Sequence, residues 1–299
     1  MSKRLKRRLS MKRVLSGKYK IQALILMAVL LLTACGSAST APKQESSTSA
    51  TDASLTVTCL KAGAADAFVL ISDNHVTIID TGLDKKGEKL VKFLDEQGIT
   101  RIDEMILTHF DKDHVGGADH VLENYEVGTV YTTYHSKESD DITEYLNALK
   151  AAGMEETEVT ETISYEADGI SFTIYPPKAR TYLEKESNNS SLAIKVTFGE
   201  NSMLFAGDAE YERLSELMSI DEIRGCTILK VPHHGRFNDN SRAFIEYVNP
   251  EYAVITSSKA DPGDQEVLDA LDSIGAATYF TKDGAITISI TANKVDFQQ

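Results

Sequence analysis

The chain has 299 residues, a formal net charge of −14 and three cysteines. Three cysteines exclude a fold built on a disulfide framework, and the acidic balance disfavours nonspecific binding along DNA, which depends on lysine and arginine contacts with phosphates. An enzyme that meets its substrate at one local site remains compatible with this composition.

The beginning of the chain is typical of a secretory signal. Residues 1–20 carry nine basic and no acidic side chains, and the apolar run 21–32 that follows is shorter than the ~20 residues a membrane-spanning helix needs. The run ends in Leu-Thr-Ala-Cys35, which resembles the lipobox of bacterial lipoproteins. Residues 1–34 are therefore predicted to be a signal peptide and Cys35 to be lipidated, with an uncleaved N-terminal anchor as the alternative. Loss of the nine basic residues would change the net charge from −14 to −23.

Residues 35–53 are rich in Ser, Thr and Ala and contain almost nothing that could be buried. They are predicted to form a flexible tether between the lipid and a single folded domain at 54–299. This organisation places the protein at the extracellular face of the bacterial cell membrane, attached through the lipid anchor. No obligate protein partner is evident from the sequence.

Within the predicted domain, short apolar runs alternate with amphipathic segments. Strands are expected at Leu55–Leu60, Ala67–Ser72, Val76–Asp80, Met105–Thr108, Thr129–Thr133, Ile170–Tyr175, Leu192–Phe198, Ser202–Phe205, Thr227–Val231, Ala253–Thr256 and Ala285–Thr291. Helices are expected at Lys85–Gln97, Ala118–Glu123, Asp141–Ala152, Tyr211–Met218, Ser241–Val248 and Gln265–Ile274. This alternation predicts an α/β fold in which helices cover the outer faces of sheets.

The strongest motif is Thr-His-Phe-Asp-Lys-Asp-His-Val-Gly-Gly at 108–117, directly after a buried strand. It offers four potential metal ligands: His109, Asp111, Asp113 and His114. A loop at the end of a strand can turn alternate side chains toward one point, and imidazoles and carboxylates together bind divalent metals. The alternative interpretation is a solvated polar loop that happens to contain two histidines.

Three further motifs also follow apolar strands. They are Ile-Asp80-Thr-Gly, Ala-Gly207-Asp208 and Pro-His233-His234-Gly. Each is weak alone; a Gly-Asp pair, for instance, also occurs at ordinary helix N-termini. Four polar motifs that end four apolar strands are jointly a much stronger indication of one site.

In their order along the chain, the four motifs resemble those of the metallo-β-lactamase superfamily over roughly residues 55–290. The resemblance implies an αββα sandwich with a metal site at one edge. The His-x-Asp-x-Asp-His variant is most similar to the hydrolase domain of the competence DNA-uptake channel proteins (ComEC-type), as are the segments 64–68 and 188–192.

The resemblance implies two divalent metal ions, Zn²⁺ or Mn²⁺, held by His109, Asp111, Asp113, His114, Asp208 and His234. One ion would be bound by His109 and Asp111 and the other by Asp113, His114 and His234, with Asp208 between them. His234 is preferred over His233 because it directly precedes Gly235. Asp113, Asp208 and His234 are the predicted catalytic residues, and Asp113 would also orient the nucleophile.

Other residues are assigned supporting roles through the same resemblance. Asp80 would hydrogen-bond a ligand histidine and fix its tautomer. Where the family has a third imidazole on the first metal, this chain offers Asn188 or Asn189. The predicted substrate contacts are Asn188, Ser191, Lys230 and His233.

The sequence thus predicts a metal-dependent hydrolase of phosphodiesterase or nuclease type that uses a metal-activated hydroxide on a phosphoester, DNA included. The alternatives are a hydrolase of another ester or amide, with a small envelope or nucleotide substrate, and a non-catalytic metal-binding lipoprotein. Cys59 and Cys226 lie in apolar contexts and are expected as buried free thiols, with a disulfide as the alternative. His75 and His135 are expected at the surface.

Overall fold

A computed structural model of the protein describes residues 54–299, so the predicted signal peptide, tether and Cys35 lie outside the described residues. The strands are β1 (Leu55–Cys59), β2 (Ala67–Ile71), β3 (Val76–Thr81), β4 (Arg101–Leu107), β5 (Glu126–Thr132), β6 (Thr157–Glu158), β7 (Ile163–Ala167), β8 (Ile170–Tyr175), β9 (Ala193–Phe198), β10 (Asn201–Phe205), β11 (Ile228–Lys230), β12 (Tyr252–Ile255), β13 (Ala277–Phe280), β14 (Ile286–Thr291) and β15 (Lys294–Gln298). The helices are α1 (Gly87–Glu96), α2 (Lys112–Val115), α3 (Ala118–Asn124), α4 (Asp140–Ala151), α5 (Glu186–Asn189), α6 (Tyr211–Leu217), α7 (Ser241–Val248) and α8 (Gln265–Ser273).

The strands form two sheets. The first has eight strands in the order β15-β14-β1-β2-β3-β4-β5-β6, and the second has seven in the order β13-β12-β11-β10-β9-β8-β7. Neighbours β3, β4 and β5 run parallel in the first sheet, and β10, β11 and β12 run parallel in the second. The carboxyl ends of these parallel strands carry the motifs that the sequence analysis singled out.

Central strands such as β3 and β10 are apolar on both faces because each sheet is covered there on both sides. In β3, Ile79 points into the core between the two sheets while its neighbour Ile78 packs against the helices of the first sheet. In β10, Phe205 lies between the sheets and Leu204 packs against the helices of the second. Successive side chains on a strand point to opposite faces, so doubly covered strands are almost continuously hydrophobic.

Helices α1, α3 and α4 bury their apolar faces on the first sheet, and α6, α7 and α8 do so on the second. The predicted αββα sandwich is confirmed by this layer order. Among the described residues, no helix has the length and apolar character required to cross a membrane. Cys59 and Cys226 are both buried and free, as expected.

Four strands were missed by the sequence analysis, and they share one position in the fold. β15 and β6 form the two edges of the first sheet, and β13 and β7 form the two edges of the second. Their side chains are partly or fully exposed throughout. Edge strands are half-solvated and therefore lack the buried apolar run on which the strand predictions depended.

Candidate metal centre

The parallel strands of the two sheets bring the polar motifs to one edge of the sandwich. Asp80 is the penultimate residue of β3, His109 follows β4, Asp208 follows β10 and His234 follows β11. Helix α2 begins after Asp111 and carries Asp113 and His114 back toward the same point; a single Gly82–Val115 bridge ties this helix to the end of β3.

Four side chains converge at this edge: Asp113, His114, Asp208 and His234. The Nε2 atoms of His114 and His234 each lie 3.2 Å from Asp208 Oδ2, and His234 Nε2 lies 3.3 Å from Asp113 Oδ2. Metal–ligand bonds of ~2.0–2.1 Å in a tetrahedral arrangement place neighbouring donor atoms about 3.3 Å apart. The spacing of these four donors therefore fits one divalent ion.

The hydrogen bonding of the imidazoles supports the same conclusion. The Nε2 atoms of His109, His114 and His234 are buried, and none has a hydrogen-bond partner within the described chain. An unsatisfied buried polar atom costs about 1–3 kcal/mol, and bonds to metal are the best explanation for three such nitrogens at this edge of the sandwich. The residues present thus fit the metal that the family resemblance implies.

The opposite ring nitrogens are held by buried acceptors. His114 Nδ1 lies 2.7 Å from Asp80 Oδ2, and Asp80 also accepts hydrogen bonds from the backbone N–H and hydroxyl of Thr108. His234 Nδ1 lies 3.0 Å from Thr256 Oγ1, which in turn donates to Asp66 Oδ1. With Nδ1 engaged in this way, each ring directs Nε2 at the centre, where this nitrogen would give up its proton on binding metal. Asp80 thus stands where the sequence analysis placed it.

Unusual backbone conformations help to aim these groups. Asp80, His233 and His234 all have positive φ, at 55°, 46° and 56°, and left-handed backbone is uncommon outside glycine and concentrates at functional sites. Gly207, at φ 53°, passes so close to Ser191 that a Cβ would lie 2.7 Å from its hydroxyl oxygen. Only glycine allows Asp208 to approach the centre along this path.

The expected first metal position is less complete. His109 and His114 stack with ring centroids 4.1 Å apart, and His109 Nε2 lies 4.0 Å from Asp111 Oδ2. Asp111, however, is bonded by Lys137 and by the hydroxyl of Ser187. These two residues do not join the compact cluster of the other four donors.

The electrostatics of the centre are set by its carboxylates. Burial, aided by His114, lowers the pKa of His109 to about 4 and keeps this ring neutral. Burial also opposes charge on His234, but Asp208 and Asp113 raise the pKa of His234 to about 9. Against the effect of burial, His114, His234 and Lys230 hold the pKa of Asp208 well below its usual range. A site with this charge balance exchanges protons for a divalent cation when it binds metal.

Two of the predicted substrate contacts are wrong. Lys230 is fully buried: its ammonium pairs with Asp66, donates to the Gly207 carbonyl at 2.9 Å and lies 3.4 Å from Asp208. Ser191 is also fully buried, and its hydroxyl accepts from the Asp208 backbone N–H at 3.1 Å. Both residues hold Asp208 from behind and do not face a substrate.

The two candidate asparagines are separated by the structure. Asn189 Oδ1 accepts from the backbone N–H groups of Glu210 and Arg213, so it caps the start of α6 and is not available to the centre. Asn188 lies on the other side of α5, with its amide nitrogen 3.4 Å from His233 Nε2. Of the two, only Asn188 faces the site.

His233 lies at the rim of the centre, consistent with its assignment outside the ligand set. Its Nε2 is 3.9 Å from Asp208 Oδ2 and accepts from Arg236 at 2.8 Å, while its Nδ1 contacts Glu210 at 2.7 Å. His233 and Arg236 border a cleft of about 830 Å³ that we call the carboxylate cleft. Its acidic lining consists of Glu184, Glu210, Glu212, Asp239, Asp261 and Asp264.

Several residues of the centre were not identified from the sequence. Asp66 lies in a segment that carried the family resemblance but had no assigned role, yet it is buried against Lys230, Thr256 and the two ligand histidines. Thr256 follows β12 without any motif around it. Its position directly after a parallel strand that neighbours β11 was the one available signal.

Comparisons with known proteins agree with this geometry. The family model described as "Metallo-beta-lactamase superfamily" matches residues 60–257. ComE operon protein 3 of Bacillus subtilis is 32% identical over 176 residues, covering 58% of this chain and 22% of that protein. Recombination protein 2 of Haemophilus influenzae is 24% identical over 252 residues, covering 81% and 30%. This chain thus spans less than a third of the length of these curated relatives.

Among solved structures, Igni18, a metallo hydrolase from the archaeon Ignicoccus hospitalis, superposes with a TM-score of 0.52 at 15% identity, covering 82% of this chain and 99% of that one. At this identity the likeness concerns the fold alone. Competence protein ComA of Neisseria gonorrhoeae is 25% identical over 209 residues, covering 69% of this chain and 27% of that protein. Together with ComE operon protein 3 it confirms the resemblance to competence-type proteins. On the family match, the sandwich and the centre at its edge, the chain belongs to the metallo-β-lactamase superfamily and has its metal-dependent hydrolase fold.

Proposed function

We propose that the protein is a phosphodiesterase that cleaves a nucleic-acid strand, DNA included, at this edge of the sandwich. The observation that carries the proposal is the convergence of Asp113, His114, Asp208 and His234 with unsatisfied imidazole nitrogens. The names of Competence protein ComA and Recombination protein 2 favour a nucleic-acid substrate over a β-lactam.

The ligand residues would be divided between two metal ions. Asp113, His114 and His234 would hold one divalent ion and His109 and Asp111 a second, with Asp208 shared between them. When bound, such a pair lowers the pKa of water toward neutrality and neutralises charge on a phosphoryl group.

The surrounding side chains keep the ligands in place. Asp80 orients His114 and Thr256 orients His234, each through Nδ1. Lys230 holds Asp208, whose backbone N–H is fixed by Ser191. Groups so held need no reorganisation during the reaction, which is the main source of electrostatic catalysis.

Arg236 is the cation best placed to meet a substrate phosphate. It is partly exposed, hydrogen-bonds His233 at 2.8 Å and pairs with Asp261 at 2.5 Å, so its guanidinium is fixed at the mouth of the carboxylate cleft. A fixed planar guanidinium can bind two phosphate oxygens at once.

A second candidate is a phosphodiesterase or other esterase for a small substrate. The six carboxylates of the carboxylate cleft favour this alternative, because they repel a polyanion while tolerating a small ester with an uncharged or cationic remainder.

The test is turnover of bis-p-nitrophenyl phosphate and of single-stranded DNA by the purified protein, stripped of metal and reloaded with Mn²⁺ or Zn²⁺. Metal-dependent cleavage of both, lost in Asp113→Ala and His234→Ala, is the expected result. Cleavage of the small ester alone would favour the second candidate. Metal binding without turnover of either substrate would refute phosphodiesterase activity and leave an esterase for another bond or a non-catalytic metal-binding protein.

We further propose that the protein acts at the outer face of the membrane, attached through Cys35. The basic segment, the short apolar run and the lipobox-like Leu-Thr-Ala-Cys35 support this location. Cells that express the protein should incorporate labelled palmitate into it, and Cys35→Ser should abolish the label. Equal labelling of the variant would contradict the proposal.

A further inference from the structure

A second pocket beside the metal centre has the opposite charge to the carboxylate cleft. It encloses about 290 Å³, and five of its nine lining residues are lysines: Lys61, Lys86, Lys89, Lys259 and Lys282. None of its lining residues is acidic. We call this feature the lysine pocket.

The lysines of the pocket are not neutralised by the protein. Within the described residues, none of the five has a carboxylate within 4.0 Å, although other surface lysines such as Lys92 and Lys294 do. Lys86 and Lys89 lie so close that the charge of Lys89 lowers the pKa of Lys86. In a chain with a net charge of −14, a cluster of unpaired cations is the reverse of what a random surface would give.

The backbone adds to this positive potential. Lys86 is the N-cap residue of the ten-residue helix α1, and no side chain caps the helix start. The Gly87 N–H donates to the Asp84 carbonyl, but the next N–H groups have no partner within the helix and give its N-terminus a partial positive charge. The end of α1 therefore reinforces the attraction of the lysines for an anion.

Two loops connect the pocket to the metal centre. Ser257 lines the pocket and directly follows Thr256, whose hydroxyl lies 3.0 Å from His234 Nδ1. Lys61 and Ala62 line the pocket at the start of the loop that ends at Asp66, and the Asp66 backbone N–H donates to the Asp113 carbonyl at 3.0 Å. Two of the loops that line the pocket therefore also support the ligands of the centre.

We propose that the lysine pocket binds the phosphate backbone of the substrate strand, beside the phosphodiester that lies at the metal centre. This inference rests on the proposed function. It also removes the charge objection to a nucleic-acid substrate, because the local cluster and not the net charge would meet the strand. A polyanion is favoured over a single phosphate group, since the five lysines come from four separate segments and surround the pocket.

The experiment compares Lys89→Gln/Lys259→Gln with the matched control Lys150→Gln/Lys294→Gln, which removes the same charge from exposed positions outside the pocket. Binding of a fluorescent oligodeoxythymidylate is measured by anisotropy in EDTA, so that no turnover is required. We expect about a tenfold loss of affinity, and a salt dependence shallower by about 1.4, at ~0.7 for each lost phosphate contact. The control should bind like the unaltered protein.

A second readout separates the pocket from the centre. Turnover of bis-p-nitrophenyl phosphate, which has a single phosphate and no strand to extend into the pocket, should be unchanged in the pocket variant while kcat/KM for single-stranded DNA falls. If the unaltered protein binds the oligonucleotide through these lysines but hydrolyses nothing, the proposed function fails and the pocket assignment stands.

Two outcomes would overturn the inference. One is equal oligonucleotide affinity in the pocket variant and the control while DNA is still cleaved. The other is unchanged oligonucleotide affinity with loss of a preference for phosphatidylglycerol over phosphatidylcholine vesicles, which would assign the pocket to the lipid surface.

Discussion

The carboxylate cleft and the lysine pocket lie beside the same metal centre but differ in charge and origin. The cleft combines six carboxylates with Arg236 and exposed Tyr211 and Phe237, and the pocket combines five lysines with two serines. The loop after β12 contributes to both, Asp261 to the cleft and Lys259 to the pocket. Net charge is therefore a poor guide to the substrate, because a strongly acidic chain can present an acidic and a basic surface at two ends of the same loop.

The largest loss of activity is expected when the metal centre loses Asp208. Asp208→Ala should reduce turnover of the small ester and of DNA alike by on the order of 10³-fold or more, because Asp208 lies against both ligand histidines of the four-donor cluster and its charge cannot be replaced by water. Bound metal, measured by inductively coupled plasma mass spectrometry after dialysis, should fall in parallel. Retained metal with unchanged turnover would show that the reaction occurs elsewhere. Asp283→Ala, at an exposed position outside both features, is the control.

The second prediction contrasts a buried lysine with those of the pocket. Lys230→Met leaves Asp66 and Asp208 buried without their cation and should lower the free energy of unfolding of the metal-free protein by about 3–5 kcal/mol. The pocket variant Lys89→Gln/Lys259→Gln should unfold like the unaltered protein because both side chains are exposed. Urea unfolding followed by circular dichroism distinguishes them.

A double variant sharpens this result. Asp66→Asn/Lys230→Met removes both members of the ion pair, so part of the stability lost in Lys230→Met should return. If the double variant is less stable than Lys230→Met by the full cost of Asp66→Asn, the two residues act independently and the buried pair has no energetic coupling.

The difference between the centre and the lysine pocket also explains how much could be predicted from sequence. His109, Asp113, His114, Asp208 and His234 each lie in a short motif at the end of an apolar strand, and parallel topology then brings strand ends together. The pocket lysines come from four unrelated segments and have no motif. Only the folded chain brings them together.

The errors of the sequence analysis have a similar origin. Lys230 and Ser191 adjoin motif residues, but adjacency in sequence does not tell which way a side chain points. Lys230 turns inward because Asp66, from a loop 164 positions earlier, provides the buried partner. His75 was expected at the surface but is partly buried and pairs with Glu104 at 2.5 Å.

The third prediction concerns the support of the centre. Asp80→Asn keeps the size of the side chain but replaces one carboxylate oxygen by an NH₂ group and removes the charge. The side chain can then no longer accept from the Thr108 N–H, the Thr108 hydroxyl and His114 Nδ1 together. Loss of such a supporting contact typically costs about 10–100-fold in metal affinity or activity. Metal titration with a competing chelator measures it. Binding of the oligonucleotide in EDTA should be unchanged, because the lysine pocket does not depend on Asp80.

A substitution in the carboxylate cleft should have the smallest effect. Asp239 is exposed, lines the carboxylate cleft and makes no hydrogen bond or ion pair within the described residues, so Asp239→Asn should leave stability and small-ester turnover unchanged. If a DNA strand passes from the lysine pocket across the centre toward the cleft, removal of this negative charge should raise the association rate of the strand about twofold at low salt. Near 1 M salt, where the Debye length is about 3 Å, screening should abolish the effect. Stopped-flow anisotropy at two ionic strengths measures the change. A gain for the small ester instead of the strand would indicate that the cleft belongs to the substrate of the second candidate function.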